Sequence, residues 1–153
     1  MKKYLQFKFP LFFFLLFTAC STTSKTPGVQ RIGLVQLHSY TLKQPPAADT
    51  IFKVINNKEE FDANFALTPT ATDAKIPDFN GQTVVSIILP NVSAAQFDHA
   101  EIDGNTMKVY AISCAPGTQN CVTNLALATT PKSGNVKTVQ FLINGVSRSY
   151  VDL

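Results

Sequence analysis

Few side chains in this sequence are reactive, and their spacing limits the chemistry open to them. Cys114 and Cys121 flank Ala-Pro-Gly-Thr-Gln-Asn, a turn-rich run between strand-like stretches, and form an even pair once Cys20 is set aside. In an oxidising compartment such a pair is expected to close a disulfide at the base of a hairpin loop, stabilising it by roughly 2 kcal/mol. The spacing fits no common zinc pattern, and His38 and His99 lack supporting ligand motifs, so no metal site is expected. Asp98, His99, Glu101 and Asp103 form the densest ionisable group. A histidine between carboxylates can act as a general base, but the same residues read more simply as one solvated arm of a hairpin. Cys114 makes a poor nucleophile when Cys121 can oxidise it, and Asp103-Gly104-Asn105 lacks the spaced oxygen ligands of a calcium loop. Gly-x-Ser-x-Gly, phosphate-cradling glycine loops and His-Glu-x-x-His do not occur. No catalytic residue and no cofactor is therefore assigned, and the chain is not expected to be an enzyme.

Cys20 has a different setting. Lys2 and Lys3 give a positive start, Leu11 to Phe17 is wholly Leu and Phe, and Thr18-Ala19 put small side chains before the thiol. An apolar run of about seven residues falls well short of the roughly twenty that a spanning helix needs, so residues 1–19 read as an export signal. The junction resembles the lipobox of bacterial lipoproteins, Leu-(Ala/Ser/Thr)-(Gly/Ala)-Cys, with Phe17 where leucine is usual. That resemblance implies cleavage before Cys20, a diacylglycerol on its thiol and attachment to a membrane through acyl chains. Ser21, rather than aspartate, resembles an outer-membrane address. The expected location is the cell envelope, on the periplasmic or surface face of the outer membrane. An ordinary secretory signal cut after Ala19 would also export the chain.

Removing nineteen of 153 residues leaves 134, enough for a single domain that buries about two-thirds of its unfolded surface. Three of thirteen basic residues (Lys2, Lys3, Lys8) leave with the signal and all ten acids stay, so the remaining chain is charge-balanced. A basic nucleic-acid footprint is not supported. Six of the twelve phenylalanines leave as well, and the core must come mainly from Val, Ile, Leu and Ala.

These residues must be positioned by a β-rich body. Residues 20–30 are a Ser/Thr/Lys tether closed by Pro27-Gly28, and 31–153 form one domain. Arg31 to Leu42 reads as an early strand with partial alternation, and Pro45-Pro46 makes the following segment a connector. Ile51 to Ile55 is a short strand. Asn57 with Glu60 resembles a capping box, and it predicts a helix of about ten residues with Phe61 and Phe65 on one face. Thr83 to Leu89, apolar on both faces, is a central strand stopped by Pro90. Phe97 to Ile102 and Met107 to Ser113 form a hairpin turned by Asp103-Gly104. Val122 to Ala128 and Val136 to Ile143 follow as strands, and Asn144-Gly145 hands over to an edge strand at Val146 to Val151. The fold class is mainly β (α+β): an antiparallel β-sandwich or curved sheet of about seven strands with one short helix packed on it. Asp49-Thr50-Ile51 resembles a short O-glycosylation motif, and its simpler reading is an exposed strand entrance.

A wider likeness covers Ile51 to about Ile143. Its order is Glu59-Glu60-Phe61 on the helix, Pro77-Asp78-Phe79-Asn80, the strand Val84 to Leu89, a Gly-Asn turn before Met107 to Ile112, and Pro131-Lys132 before Val139 and Phe141. This order resembles the PrcB-type protease-complex subunit domain. The resemblance implies a small secreted binding domain whose partner is an exported protein such as a protease. That family usually carries Gly-Gly-Tyr after the central strand, where this chain has Pro90, Asn91, Val92, Ser93, Ala94 and Ala95. Those six residues, with the cysteine hairpin, are the expected partner-contact loops. A structural envelope lipoprotein with no discrete ligand, and a hydrolase built on His99, are the competing readings.

Overall fold

The computed structural model describes residues 28–46, 48–90, 93–115, 118 and 122–153. The stretch expected as one early strand is broken at Gly33 and at the His38-Ser39 turn. It gives β1 (Gln30–Ile32), β2 (Val35–Gln36) and β3 (Tyr40–Leu42), each in a different sheet. Pieces this short let the chain step across stacked layers instead of running along one of them.

β4 (Ile51–Ile55) ends at Asn56, and Asn57 caps α1 (Lys58–Asn64), its side chain accepting the Glu60 N–H at 2.8 Å. Glu59 and Glu60 occupy the first turn, where the helix dipole favours anions. The helix has seven residues, not ten. Asn64 donates its side-chain amide to the Glu60 carbonyl at 2.7 Å, competing with the helical ladder. The next residues are claimed by strand pairing: β5 (Phe65–Leu67) runs antiparallel to β3. Phe61 and Phe65 still share one buried side, with ring centroids 5.2 Å apart.

The rest of the chain is strand: β6 (Gln82–Ile88), β7 (Ala94–Asp103), β8 (Thr106–Cys114), β9 (Val122–Thr123), β10 (Leu125–Pro131), β11 (Thr138–Ile143) and β12 (Val146–Asp152). Two hairpin turns use left-handed backbone. Gly104 (φ 62°) joins β7 to β8, and Asn144 (φ 51°) with Gly145 (φ 76°) joins β11 to β12, as a type I′ turn requires. Seven of the twelve strands among the described residues run five or more residues, and these are the body of the fold.

An outer sheet has the order β1-β7-β8-β11-β12 with β9 also on β7, a middle sheet has the order β2-β10-β6-β4, and β3 and β5 form a separate ribbon. All pairs are antiparallel except β8 with β11. A parallel neighbour needs a crossover, and here β10 supplies it by passing through the middle sheet. One core lies between the two sheets, with Val85 and Ile87 of β6 facing Phe97, Met107, Val109 and Phe141. A second lies on the far side of the middle sheet, where Val84 and Ile88 meet Phe61, Phe65 and Tyr40. β6 is thus covered on both faces, and the fold is a β-sandwich with one short helix and a ribbon laid across it.

Candidate functional site

His99 lies on the open face of the outer sheet because β7 carries a bulge between Phe97 and His99. The extra residue shifts the alternation, so Phe97 and Ala100 both point inward while Asp98 and His99 both reach solvent. His99 Nδ1 is 2.8 Å from Asp98 Oδ2, and Nε2 is 3.6 Å from Glu101 Oε1. The ring stacks on Tyr110 with centroids 4.3 Å apart, and the Tyr110 hydroxyl donates to Glu101 at 3.4 Å. Nearby, the Lys108 ammonium donates to Asp103 at 2.7 Å, and this bond holds its pKa above the ordinary lysine value. Both ring nitrogens face carboxylates and the ring face is taken by tyrosine, the arrangement of a surface ladder. Among the described residues no group of three metal-ligating side chains gathers, and His38 sits apart in the β2–β3 turn.

Of the expected contact loops, the described residues Ser93 to Ala95 and Cys114 lie together at one end of the outer sheet. Cys114 ends β8 opposite Ala94, and Ala94 also pairs with Thr123 of β9. The Asn124 N–H donates to the Ser93 carbonyl at 2.9 Å. Ala94 and Ala95, expected in the contact loop, are instead buried strand residues of β7, because pairing with β8 and β9 extends that strand toward Pro90. Pro90 is half-buried and Ser93 exposed. Asn91, Val92 and Cys121 lie outside the described residues, as does Cys20. Asp49 and Thr50 stand at the entrance to β4.

The helix layer over the second core carries a feature with no motif to announce it. Ile76 is 73% exposed on a chain pinned by the buried Pro77, and a hollow opens on each side of it. One, of about 410 Å3, is lined by Phe61, Phe65 and Phe79 beneath and by Leu67, 50% exposed, at its rim. The other, of about 380 Å3, reaches Leu37 and the 41% exposed Val35. Hollows of about 360 and 340 Å3 also flank Pro45-Pro46, but none of the large exposed apolar side chains lines them. Clustered exposed apolar groups mark interaction surfaces in a way that single ones do not.

The polar lining of the larger hollow is Tyr40, Lys43, Lys58 and Asp62. Lys58 pairs with the Asp62 carboxylate one helical turn on, and Lys43 donates to the Asp62 carbonyl, at the helix end where cations are favoured. The Tyr40 hydroxyl donates to the Lys75 carbonyl at 3.1 Å. Burial pushes its pKa above the usual tyrosine value, the Asp62 carboxylate adds to this, and Lys58 works against it. Phe61 is the hub of the floor, with Tyr40 edge-on at 5.0 Å and Phe79 at 5.7 Å. Lys132 donates to the carbonyls of Asn56 and Phe79, tying the β10–β11 turn to the same corner. Phe61, Phe79 and Lys132, which carried much of the likeness noted in the sequence, therefore hold the helix layer onto the middle sheet.

No protein-family model, no curated protein and no solved structure matches this chain. The arrangement is an apolar recess floored by aromatic rings, with Tyr40, Lys43, Lys58 and Asp62 as its polar lining. Its floor residues Phe61 and Phe65 are legible in the sequence as one face of the helix, while its rim residues Leu67 and Ile76 are not. Ile76 is a single apolar residue after a Thr/Ala/Pro/Asp run, and the only available signal was its position directly before Pro77. Among the described residues no helix is long and apolar enough to cross a membrane.

Proposed function

We propose that this protein is a lipid-anchored module of the cell envelope that binds another exported protein and performs no chemistry on it. The observation that carries the reading is the cluster of Val35, Leu67 and Ile76, exposed apolar side chains gathered around two adjoining hollows. Leaving apolar surface in water costs about 25 cal/mol per Å2, and a partner that covers it recovers that free energy. The anchor is supported by the small residues before Cys20 and the short apolar run ahead of them. The partner is an exported protein, such as a protease of the same compartment, because the domain leaves the cytoplasm with its signal. We assign the contact to the Ile76 side in preference to the stretch from Pro90 to Ala95, half of which is strand or half-buried.

The test uses intact cells. A photoreactive residue at Ile76 should give one repeatable crosslinked protein, identified by mass spectrometry, while the same residue at Tyr150 on the far edge should not. Labelled palmitate should enter the wild type and not Cys20→Ala. An absence of crosslinks at every surface position, with the envelope merely weakened in a deletion strain, would favour a purely structural lipoprotein and sink the proposal.

A further inference from the structure

We propose that the hollow between Leu67 and Ile76 takes an extended, acidic peptide segment of that partner, seating one apolar side chain between those two residues and a neighbouring carboxylate at Lys43 and Lys58. The inference rests on the binding-module reading and names its ligand class.

Three observations converge on it. The first is size and lining. About 410 Å3 floored by Phe61, Phe65 and Phe79 is at the small end of ligand pockets, suited to one or two side chains and not to a folded surface. Leu67 and Tyr40 are cross-strand partners on one face of the ribbon, yet Tyr40 is buried and Leu67 half-exposed, so the layer is left open at Leu67. Ile76 bounds the same opening from the loop side.

The second is charge. The hollow is lined by two ammonium groups and one carboxylate. Lys58 is paired with that carboxylate, whereas Lys43 donates to a main-chain carbonyl, a neutral acceptor that leaves its charge unbalanced. Lys75, which precedes Ile76, lines the adjoining hollow. Asp78, two residues past Ile76, accepts the Asn80 N–H at 3.0 Å and does not line the hollow. An incoming carboxylate is favoured here and an incoming cation is not.

The third is the form of the guest. β5 lines the hollow and pairs with β3 alone, so its second edge has no strand among the described residues. An extended segment can meet the Leu67 main chain there, the Phe65 N–H being taken by the Phe61 carbonyl, while its alternate side chains enter the recess, a recurring mode of peptide capture.

The experiment is a matrix of nine fluorescein-labelled heptapeptides with a central Leu, Phe or Ser flanked on both sides by Glu, Ser or Lys. Binding is read by anisotropy against the acylated full chain in zwitterionic nanodiscs. Leu or Phe flanked by Glu should bind about tenfold or more tighter than the Lys-flanked and Ser-centred peptides, the scale of one buried apolar side chain. Ile76→Ser and Leu67→Ser, both at exposed positions, should each weaken that binding about tenfold with an unchanged circular dichroism spectrum. The double substitution Lys43→Glu and Lys58→Glu should reverse the charge preference, and Tyr150→Ser should do nothing. Equal binding of acidic and basic peptides, or wild-type binding by Ile76→Ser, would overturn the proposal. So would a dimer that Ile76→Ser converts to monomer, since a second copy would then be the occupant. If crosslinking in cells finds a partner through other positions while the peptides fail, the groove assignment falls and the binding-module reading stands. If the peptides bind as expected and cells give no partner, the module reading falls and the groove survives.

Discussion

The two outer faces of this sandwich are finished in different ways. On the outer sheet, register aligns Arg31, Glu101, Lys108, Gln140 and Tyr150 in one row across five strands. Those side chains and their neighbours satisfy each other: Lys108 with Asp103, Tyr110 with Glu101, Gln140 with Ser147 at 3.0 Å and with Tyr150 at 2.7 Å. Alternation alone produces such a face, because every second residue of a strand points to water. The far side of the middle sheet is apolar and needs a cover. A seven-residue helix is only about 10 Å long, and with a ribbon of three-residue strands it cannot close over four strands. Ile76 and Leu67 mark where the cover ends. A sheet face finishes itself through its sequence pattern, and a face covered by short elements keeps openings.

The largest expected effect follows from that contrast. Phe61→Ala removes the ring that touches Tyr40, Phe65 and Phe79, and it should cost about 3–5 kcal/mol in urea unfolding. His99→Ala on the opposite face should cost about 1 kcal/mol or less, since its carboxylate contacts are at the surface and the stack on Tyr110 is the packing it gives up. Similar losses for the two substitutions would mean that the faces are not built differently after all.

Much of the sandwich was legible. The two-faced apolar run at Thr83 to Leu89, the Gly104 and Asn144-Gly145 turns, and the alternation of Met107, Val109 and Ala111 each express a local rule that tertiary structure had no cause to override. Other parts were decided by distant partners. Arg31 to Leu42 became three strands because three sheets each offered an edge, and Phe65 left the helix because β3 offered pairing. Ala94 and Ala95 joined β7 for the same reason. The apolar groove was hidden more deeply. Nothing local distinguishes Ile76 or Leu67 from core residues, and their exposure depends on how far a helix elsewhere in the chain extends.

A smaller effect tests whether the cover is held by its helix. Asn57→Ala removes the acceptor for the Glu60 N–H and should cost about 1 kcal/mol. Hydrogen exchange should then quicken at Phe61 and Phe65 and not at Val109 or Phe141, which lie in the other core. Uniform quickening would show that the layers unfold as one unit, and the distinction between the faces would be static only.

The smallest effect is a titration on the helix side. Tyr40 is buried and donates to the Lys75 carbonyl, so the folded state holds its proton more tightly than the unfolded chain does, and the folded pKa lies above the ordinary value of 10.0. Below that ordinary value both states keep the proton and the contribution to stability is fully present. As pH rises past it the unfolded chain ionises first, and the contribution is lost as pH passes through the folded pKa. Tyr40→Phe keeps the ring against Phe61, loses a hydrogen bond of about 1 kcal/mol at neutral pH, and has no proton to give up. The wild type should therefore lose stability more steeply than Tyr40→Phe above about pH 10, measured as urea midpoints across the alkaline range. Parallel alkaline limbs would show that Tyr40 is no more desolvated than a surface tyrosine, and that the recess beside it is wetter than its aromatic floor implies.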